Sequence, residues 1–77
     1  MNIRVIIYGS LLRPEGQHDY VKEVAEGATV KDLILAIGFQ QSHVATILAT
    51  VDGTQASHHR KLSEGEEVVL SVMVGGG

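Results

Sequence analysis

Alternating hydrophobic and polar positions predict a β-strand near each end of the chain. Near the start, Ile3, Val5 and Ile7 fall on one face of a strand predicted over residues 2–8. Near the end, residues 67–74 alternate in the same way, and every second side chain from Val68 onward would face a core. We therefore expect each strand to cover a hydrophobic core with one face and to leave its other face open.

A short helix is predicted between these strands, because the spacing of the hydrophobic residues changes from strand-like to helical. The residues expected to form its buried face are Val30, Leu33, Ile34 and Ile37. Thr29 is a good N-cap, Asp32 completes an acidic variant of the capping box, and Gly38 suits the left-handed position that ends a helix. A helix of about two turns is unstable alone in water and must pack on a sheet.

A second strand, predicted over residues 18–25, would form a hairpin with the first strand around a loop that contains Pro14. Its facing is ambiguous, because Tyr20 and Val24 point one way while Val21 points the other.

A third strand is predicted over residues 44–51, and Asp52-Gly53 directly after it is a turn signal. Residues 54–61 are polar, with room for a short edge strand, and Leu62 is expected to reach the core.

The order strand, strand, helix, strand, strand predicts an α+β fold, with a mixed four- to five-stranded sheet and one helix packed on one face. A helix that crosses over between two hairpins makes the first and last strands parallel neighbours at the centre of the sheet. We expect residues 1–74 to form one domain and residues 75–77 to form a flexible glycine tail.

The composition limits the chain to a small domain without thiol chemistry. A chain of 77 residues has room for one modest core but not also for a deep enzyme pocket. It contains no cysteine, which excludes disulfides, thiolate metal sites and a cysteine nucleophile. A net charge of −3 disfavours nucleic acid as a partner. The chain shows neither a membrane-spanning run nor a signal-peptide pattern, so we expect a cytoplasmic protein without a membrane partner.

The polar side chains show no pattern typical of catalysis or metal binding. The histidines have no metal-ligand spacing and are expected to be exposed loop residues: His18, His43, His58 and His59. The acids Glu64, Glu66 and Glu67 are expected to keep a turn soluble. We therefore predict no catalytic residue and no metal site.

The glycines Gly75, Gly76 and Gly77 are the most informative feature. Without Cβ atoms they can adopt backbone angles closed to other residues, and extended they would reach ~10 Å beyond the sheet. Such a tail can thread a narrow channel in another protein and present the Gly77 carboxylate there. A frayed glycine-rich end would explain the composition equally well.

A partner-docking surface is predicted on the sheet face away from the helix. Its members are Ile6, Tyr8, Val69, Ser71 and Met73. Apolar side chains on an otherwise wet face favour a docking patch, although ordinary exposed apolar surface or a weak self-dimer would show the same pattern.

Several short segments follow one another in the order of a known family. They are residues 5–9 (Val-Ile-Ile-Tyr-Gly) followed by Leu12-Arg13, residues 26–33 before the helix, residues 51–53 (Val-Asp-Gly), residues 62–68 (Leu-Ser-Glu-Gly-Glu-Glu-Val) and Gly76-Gly77. On these segments the chain resembles the ThiS/MoaD family of small ubiquitin-like sulfur carriers. The family typically has Asn at position 52 and Asp at positions 64 and 66, so these departures are conservative.

The resemblance implies the ubiquitin-like β-grasp fold and a role as a carrier. A ThiF/MoeB-like adenylyltransferase would use ATP and Mg²⁺ to adenylate the Gly77 carboxylate, and a sulfur donor would then displace AMP to leave a thiocarboxylate. A downstream synthase would accept this sulfur for thiamine thiazole or molybdopterin, or for a related thiolation. The chain itself would bind no cofactor and would be a co-substrate rather than an enzyme.

Two other functions remain open. One is a ubiquitin-like modifier that is joined through Gly77 to a lysine of a target, and the other is a β-grasp interaction module with an inert tail. Within the carrier reading, Tyr8 and Leu12-Arg13 favour the molybdopterin branch, whereas the short middle of the chain favours the thiazole branch.

Overall fold

Five strands form one mixed sheet, and an α-helix lies across one of its faces. The computed structural model describes residues 1–9 and 13–72. The elements within these ranges are β1 (Asn2–Ile7), β2 (Asp19–Glu23), α1 (Val30–Ile37), a 3₁₀ helix (Gln41–Thr46), β3 (Ile47–Val51), β4 (Thr54–Ala56) and β5 (Glu67–Val72).

The first and last strands are parallel neighbours at the centre of the sheet, as predicted. The strand order is β2-β1-β5-β3-β4, and every pair other than β1–β5 is antiparallel. In the parallel pair, Val5 lies beside Val68 and Ile7 beside Leu70. A helix across a mixed sheet with this centre is the β-grasp arrangement, which confirms the predicted fold class.

The hydrophobic core lies between α1 and the sheet. All four residues of the predicted helix face are buried, and so are the inward-facing residues of β1 and β5: Val30, Leu33, Ile34, Ile37, Ile3, Val5, Ile7, Val68 and Leu70. Leu62 joins the same cluster from the loop before β5, as predicted. Tyr20 of β2 and Val24 directly after it pack against the core while Val21 points away, which resolves the facing of this strand.

The ends of α1 are closed by the predicted caps. The Thr29 hydroxyl accepts a hydrogen bond from the Asp32 amide at 3.2 Å, and the Thr29 amide donates to the Asp32 carboxylate at 3.0 Å. Gly38 has φ 115°, in the left-handed region, where a Cβ would be strained. At the start of the helix, the first two amides donate to carbonyl oxygens of the loop before β5. The Val30 amide donates to Arg60 O and the Lys31 amide to His58 O, each at 3.0 Å.

The start of the predicted third strand is wrong. Residues 44–46 belong to the 3₁₀ helix Gln41–Thr46, and β3 begins at Ile47. The helical turn buries the side chain of Val44, and the Thr46 hydroxyl donates to the His43 carbonyl oxygen at 2.8 Å. β2 is shorter than the predicted 18–25, and residues 73–74 of the predicted last strand lie outside the described residues.

His58 also differs from its expected exposed state. Its ring is half-buried, and Nε2 donates to the Ile47 carbonyl oxygen at 2.7 Å. His58 therefore joins the loop after β4 to the start of β3, whereas His18, His43 and His59 are exposed as predicted.

Replacement of Leu33 by Ala should destabilise the protein strongly, because Leu33 is fully buried between α1 and the sheet. We expect Leu33→Ala to lower the free energy of unfolding by about 2–5 kcal/mol, measured by urea denaturation. Leu35→Ala is the matched control, since it removes the same atoms from a half-buried position of the same helix. Equal losses in the two variants would contradict the assigned helix face.

Candidate functional site

The sheet face away from α1, here called the open face, carries an apolar patch over its central strands. Ile6 of β1 lies beside Val69 of β5 in the parallel register. Across the other side of β5, Val69 lies opposite Thr50 and Ser71 opposite Leu48. Since residues paired in register point to the same side of a sheet, these five side chains form one continuous surface.

The predicted docking residues that the structure describes lie together on this face. Ile6, Val69 and Ser71 are half-buried, and Tyr8, directly after β1, is 60% exposed. Met73 lies outside the described residues, as do Gly75, Gly76 and Gly77. The assignment of all these residues to a docking surface and a tail stays a prediction.

Three further residues of the open face were missed in the sequence. Leu48 and Thr50 alternate with the buried Ile47, Ala49 and Val51, so their facing could be read from the sequence. Their position beside Ser71 and Val69 could not, because it depends on the pairing of β3 with β5.

The third missed residue, Val21, lies opposite Arg4 on the outer strand β2 and is 64% exposed. Its facing was ambiguous because hydrophobic residues occur on both sides of β2.

A cluster of ion pairs borders the patch towards the start of β1. The Arg4 guanidinium donates to both oxygens of Asp19, at 3.1 Å from Nε and 3.0 Å from Nη2. Its Nη1 lies 3.3 Å from a carboxylate oxygen of Glu67 on the other side. The hydrogen bond from Arg4 holds the pKa of Asp19 below its ordinary value. Arg4 thus neutralises acidic groups from both neighbouring strands.

The last strand is held by β1 as far as Leu70 and by β3 as far as Val72, its described end. The Tyr8 amide donates to the Leu70 carbonyl oxygen at 2.9 Å, and Val72 pairs with Ile47 of β3. From Val72 the sequence runs five more residues to Gly77. The described end of β5 therefore lies at the centre of the sheet, beside the end of β1.

Two acids of the turn before β5, Glu64 and Glu66, have structural partners in addition to their expected role as solubilising residues. Glu66 accepts two hydrogen bonds from the Arg60 guanidinium, at 3.0 and 2.8 Å, and one from the Ser63 amide at 2.6 Å. Glu64 accepts from the Asn2 amide at 2.8 Å. The bond to Asn2 places this turn by the start of β1, at the opposite end of the sheet from Val72.

Among residues 1–9 and 13–72, no three histidine or acidic side chains come close enough together to hold a metal ion. Within the same ranges, α1 is too short to cross a lipid bilayer, and no other helix has the required length and hydrophobicity.

The strand order, the parallel centre and the helix across one face define the ubiquitin-like β-grasp fold. A crystal structure of SAMP1 from Haloferax volcanii has this fold and superimposes with a TM-score of 0.73 at 21% sequence identity, covering 100% of each chain. A crystal structure of H. volcanii small archaeal modifier protein 1 gives a TM-score of 0.73 at 20% identity, covering 95% of this chain and 98% of that one. At such identities the similarity establishes the fold alone. No protein-family model matches the chain, and no curated protein matches it in sequence.

Replacement of Arg4 by Gln should raise the pKa of Asp19 towards its ordinary value, because the hydrogen bonds from the guanidinium are lost. In the wild type, the ion pair between Asp19 and Arg4 is present at neutral pH. It is lost as the pH falls through the depressed pKa of Asp19, because the carboxylate is then protonated. The pKa of Asp19 in the wild type and in the variant can be measured by NMR, from the side-chain carboxyl ¹³C shift as a function of pH. The same midpoint in wild type and Arg4→Gln would exclude Arg4 as the cause.

Proposed function

We propose that this protein is a ubiquitin-like sulfur carrier whose Gly77 carboxylate is adenylated by a partner enzyme and converted to a thiocarboxylate. The sulfur would serve the biosynthesis of a cofactor, such as thiamine thiazole or molybdopterin, or a related thiolation. In this proposal residues 1–74 are the folded domain, residues 75–77 are the tail, and Gly77 ends the mature chain. The observation that carries the proposal is the glycine run that follows the central strand β5 of a β-grasp sheet in the sequence, with two residues between its described end and Gly75.

The position of β5 supports this role for mechanical and steric reasons. The strand is hydrogen-bonded to β1 on one side and to β3 on the other, so the departure point of the chain is set by the rigid centre of the sheet. Gly75, Gly76 and Gly77 could then extend ~10 Å without side chains to obstruct a channel. The tail would thus begin at a strand that is fixed in the sheet and end in residues that are narrow and conformationally adaptable.

The proposed chemistry activates a poor acyl donor in two steps. A carboxylate oxygen of Gly77 attacks the α-phosphorus of ATP, and pyrophosphate leaves to give an acyl-adenylate. A sulfur nucleophile then attacks the acyl carbon, and AMP leaves to give the thiocarboxylate. ATP and Mg²⁺ belong to the partner, so the carrier contributes a shape and a terminus rather than catalytic side chains.

The open face is the proposed dock for the adenylyltransferase, which would be of the ThiF/MoeB-like type. Ile6, Val69 and Leu48 offer apolar area beside the end of β5, and Tyr8 adds an aromatic side chain that is 60% exposed. A partner seated there would lie next to the tail. The arginine and acids at the other end of the face are already paired with one another, so they would set a polar rim.

A second function shares the activation step and differs in the acceptor. The name of small archaeal modifier protein 1 describes that protein as a modifier, which favours conjugation as the alternative for this chain. A lysine amine of a target would then attack the acyl carbon of the adenylate, AMP would leave, and an isopeptide bond to Gly77 would form. A β-grasp interaction module with an inert tail is the remaining alternative.

The chemistry at Gly77 can be tested by intact mass spectrometry after incubation with the adenylyltransferase of the same organism, ATP, Mg²⁺ and sulfide. The wild type should gain the mass of one oxygen-to-sulfur exchange. Addition of one residue after Gly77, deletion of Gly77 and Gly76→Val should each prevent the gain, because each moves the carboxylate or blocks its path. None of the three changes should alter the melting temperature, since they lie outside the core.

The outcomes of this experiment separate the three functions. Attachment of the wild type to lysines of other proteins in a lysate of its own host would favour the modifier. If the wild-type mass is unchanged with an enzyme that is active on another substrate, the interaction module with an inert tail is the remaining function. Intact mass of protein purified from its host also tests directly whether Gly77 ends the mature chain.

The dock can be tested with two similarly exposed side chains of the same sheet face. Tyr8→Ser removes an aromatic side chain beside the end of β5, and Val21→Ser removes a comparably exposed apolar side chain at the far edge. We expect Tyr8→Ser to raise the KM for the carrier in the adenylation reaction by roughly tenfold, the loss typical of a buried interface aromatic. Val21→Ser should leave the KM unchanged. Equal effects would place the dock elsewhere, and Met73→Asp extends the test to the predicted member outside the described residues.

A further inference from the structure

In the described ranges 1–9 and 13–72, no strand lies beside the outer edge of β2, which presents a row of backbone groups. Met1 and Val24 exchange both backbone hydrogen bonds, at 2.8 and 2.6 Å, and the Ile7 amide donates to His18 O at 2.7 Å. The alternation of an antiparallel ladder then turns the amide and carbonyl groups of Asp19, Val21 and Glu23 outward. β2 is therefore able to accept a further strand. The opposite edge, β4, is only three residues long.

A groove of about 420 Å³ adjoins the end of β2 and separates it from α1. Val24, Ala28 and Ala36 supply small or apolar side chains to its wall, and Glu23, Glu26 and Asp32 supply carboxylates. None of the described residues that line the groove is basic. The Asp32 carboxylate caps α1 and its pKa is lowered by the bond from the Thr29 amide, so it stays charged near neutral pH.

The two basic residues of β1 and β2 are already paired with acids, while Lys31 of α1 lies close enough to Asp32 to help lower the pKa of that carboxyl group. Lys22 of β2 binds the carboxylate of Glu15 at 2.8 Å, and Arg4 opposite Val21 binds Asp19. A positively charged partner would therefore meet little repulsion from Arg4 and Lys22, because both are paired. At the Glu23 end of the edge it would meet the three carboxylates around the groove. The charge distribution favours a basic partner.

A second copy of this chain fits the edge poorly. Antiparallel pairing of two β2 strands about Val21 would set Asp19 of each copy opposite Glu23 of the other. Like charges directly opposite each other destabilise a strand pair, so the edge disfavours self-association while it remains open to another sequence.

We propose that β2 and the adjoining groove bind an extended segment of another protein by strand addition. The segment would carry alternating apolar side chains and Lys or Arg at the end that lies beside Glu23 and Glu26. Main-chain hydrogen bonds to Asp19, Val21 and Glu23 would hold it, and its basic end would provide specificity. This surface is separate from the tail, so the interaction goes beyond the proposed sulfur chemistry and does not depend on Gly77.

The test uses a synthetic peptide of alternating Val and Thr that ends in two Arg, titrated into the full chain and followed by ¹⁵N–¹H NMR. The amide signals of Asp19, Val21 and Glu23 should shift, and their hydrogen exchange should slow. A peptide with Glu in place of both Arg is the control for charge and should bind at least roughly tenfold more weakly. Higher salt should weaken binding of the basic peptide.

Two sets of variants locate the site. Val21→Pro removes an outward amide without removing a β1–β2 hydrogen bond, since proline is tolerated where an edge N–H faces solvent. It should weaken the peptide at least roughly fivefold, the worth of one net hydrogen bond, whereas Val21→Thr should not. The double variant Glu23→Gln with Glu26→Gln leaves the strand intact and should reduce the preference for the Arg peptide over the Glu peptide.

Three results would overturn the proposal. They are no binding of the Arg peptide, equal binding of the two peptides, and shifts confined to the open face around Tyr8 and Val69. Because the titration contains neither ATP nor a partner enzyme, it gives the same answer for a chain without Gly77. A failure of strand addition is thereby distinguished from a failure of the carrier chemistry.

Discussion

The pairing of β1 with β5 is the constraint on which the rest of this structure depends. It joins segments separated by almost the whole chain, with Val5 beside Val68 and Ile7 beside Leu70. Parallel neighbours cannot be joined by a tight turn, so the chain between them must cross the sheet. The crossing contains α1, which covers the inner face of both strands and closes the core. The other strands are added to this centre by antiparallel pairing.

The same pairing determines which groups each surface of the protein can offer to a partner. The backbone groups of the central strands are hydrogen-bonded to strands on both sides. These strands can therefore offer a partner their side chains, but not their backbone groups. β2 at the margin offers backbone groups as well as side chains. A protein of this size has little room for a deep pocket, yet the face of the sheet and its edge can present two partners with different chemistry.

The features that could be predicted from sequence are those set by local periodicity and capping. The helix face of Leu33 and Ile34, the cap at Thr29 and the inward residues of β1 follow from spacing alone. Features that depend on register could not be predicted. Leu48 alternates correctly for the open face, but its place beside Ser71 requires knowledge of how β3 pairs with β5. A hydrophobic residue such as Val44 fits the core from a strand or a 3₁₀ turn, so hydrophobicity alone did not decide between them.

The parallel centre also determines how the folded chain responds to tension. The chain enters β1 at one end of the sheet and leaves β5 at the other. A pull that draws Met1 and Val72 apart would therefore slide the two strands past each other, loading all the hydrogen bonds between them at once. Traction on β2 away from the sheet would instead break its bonds to β1 one pair at a time. A machine that unfolds this protein by drawing in the chain beyond Val72 would have to work against the strongest direction of the fold.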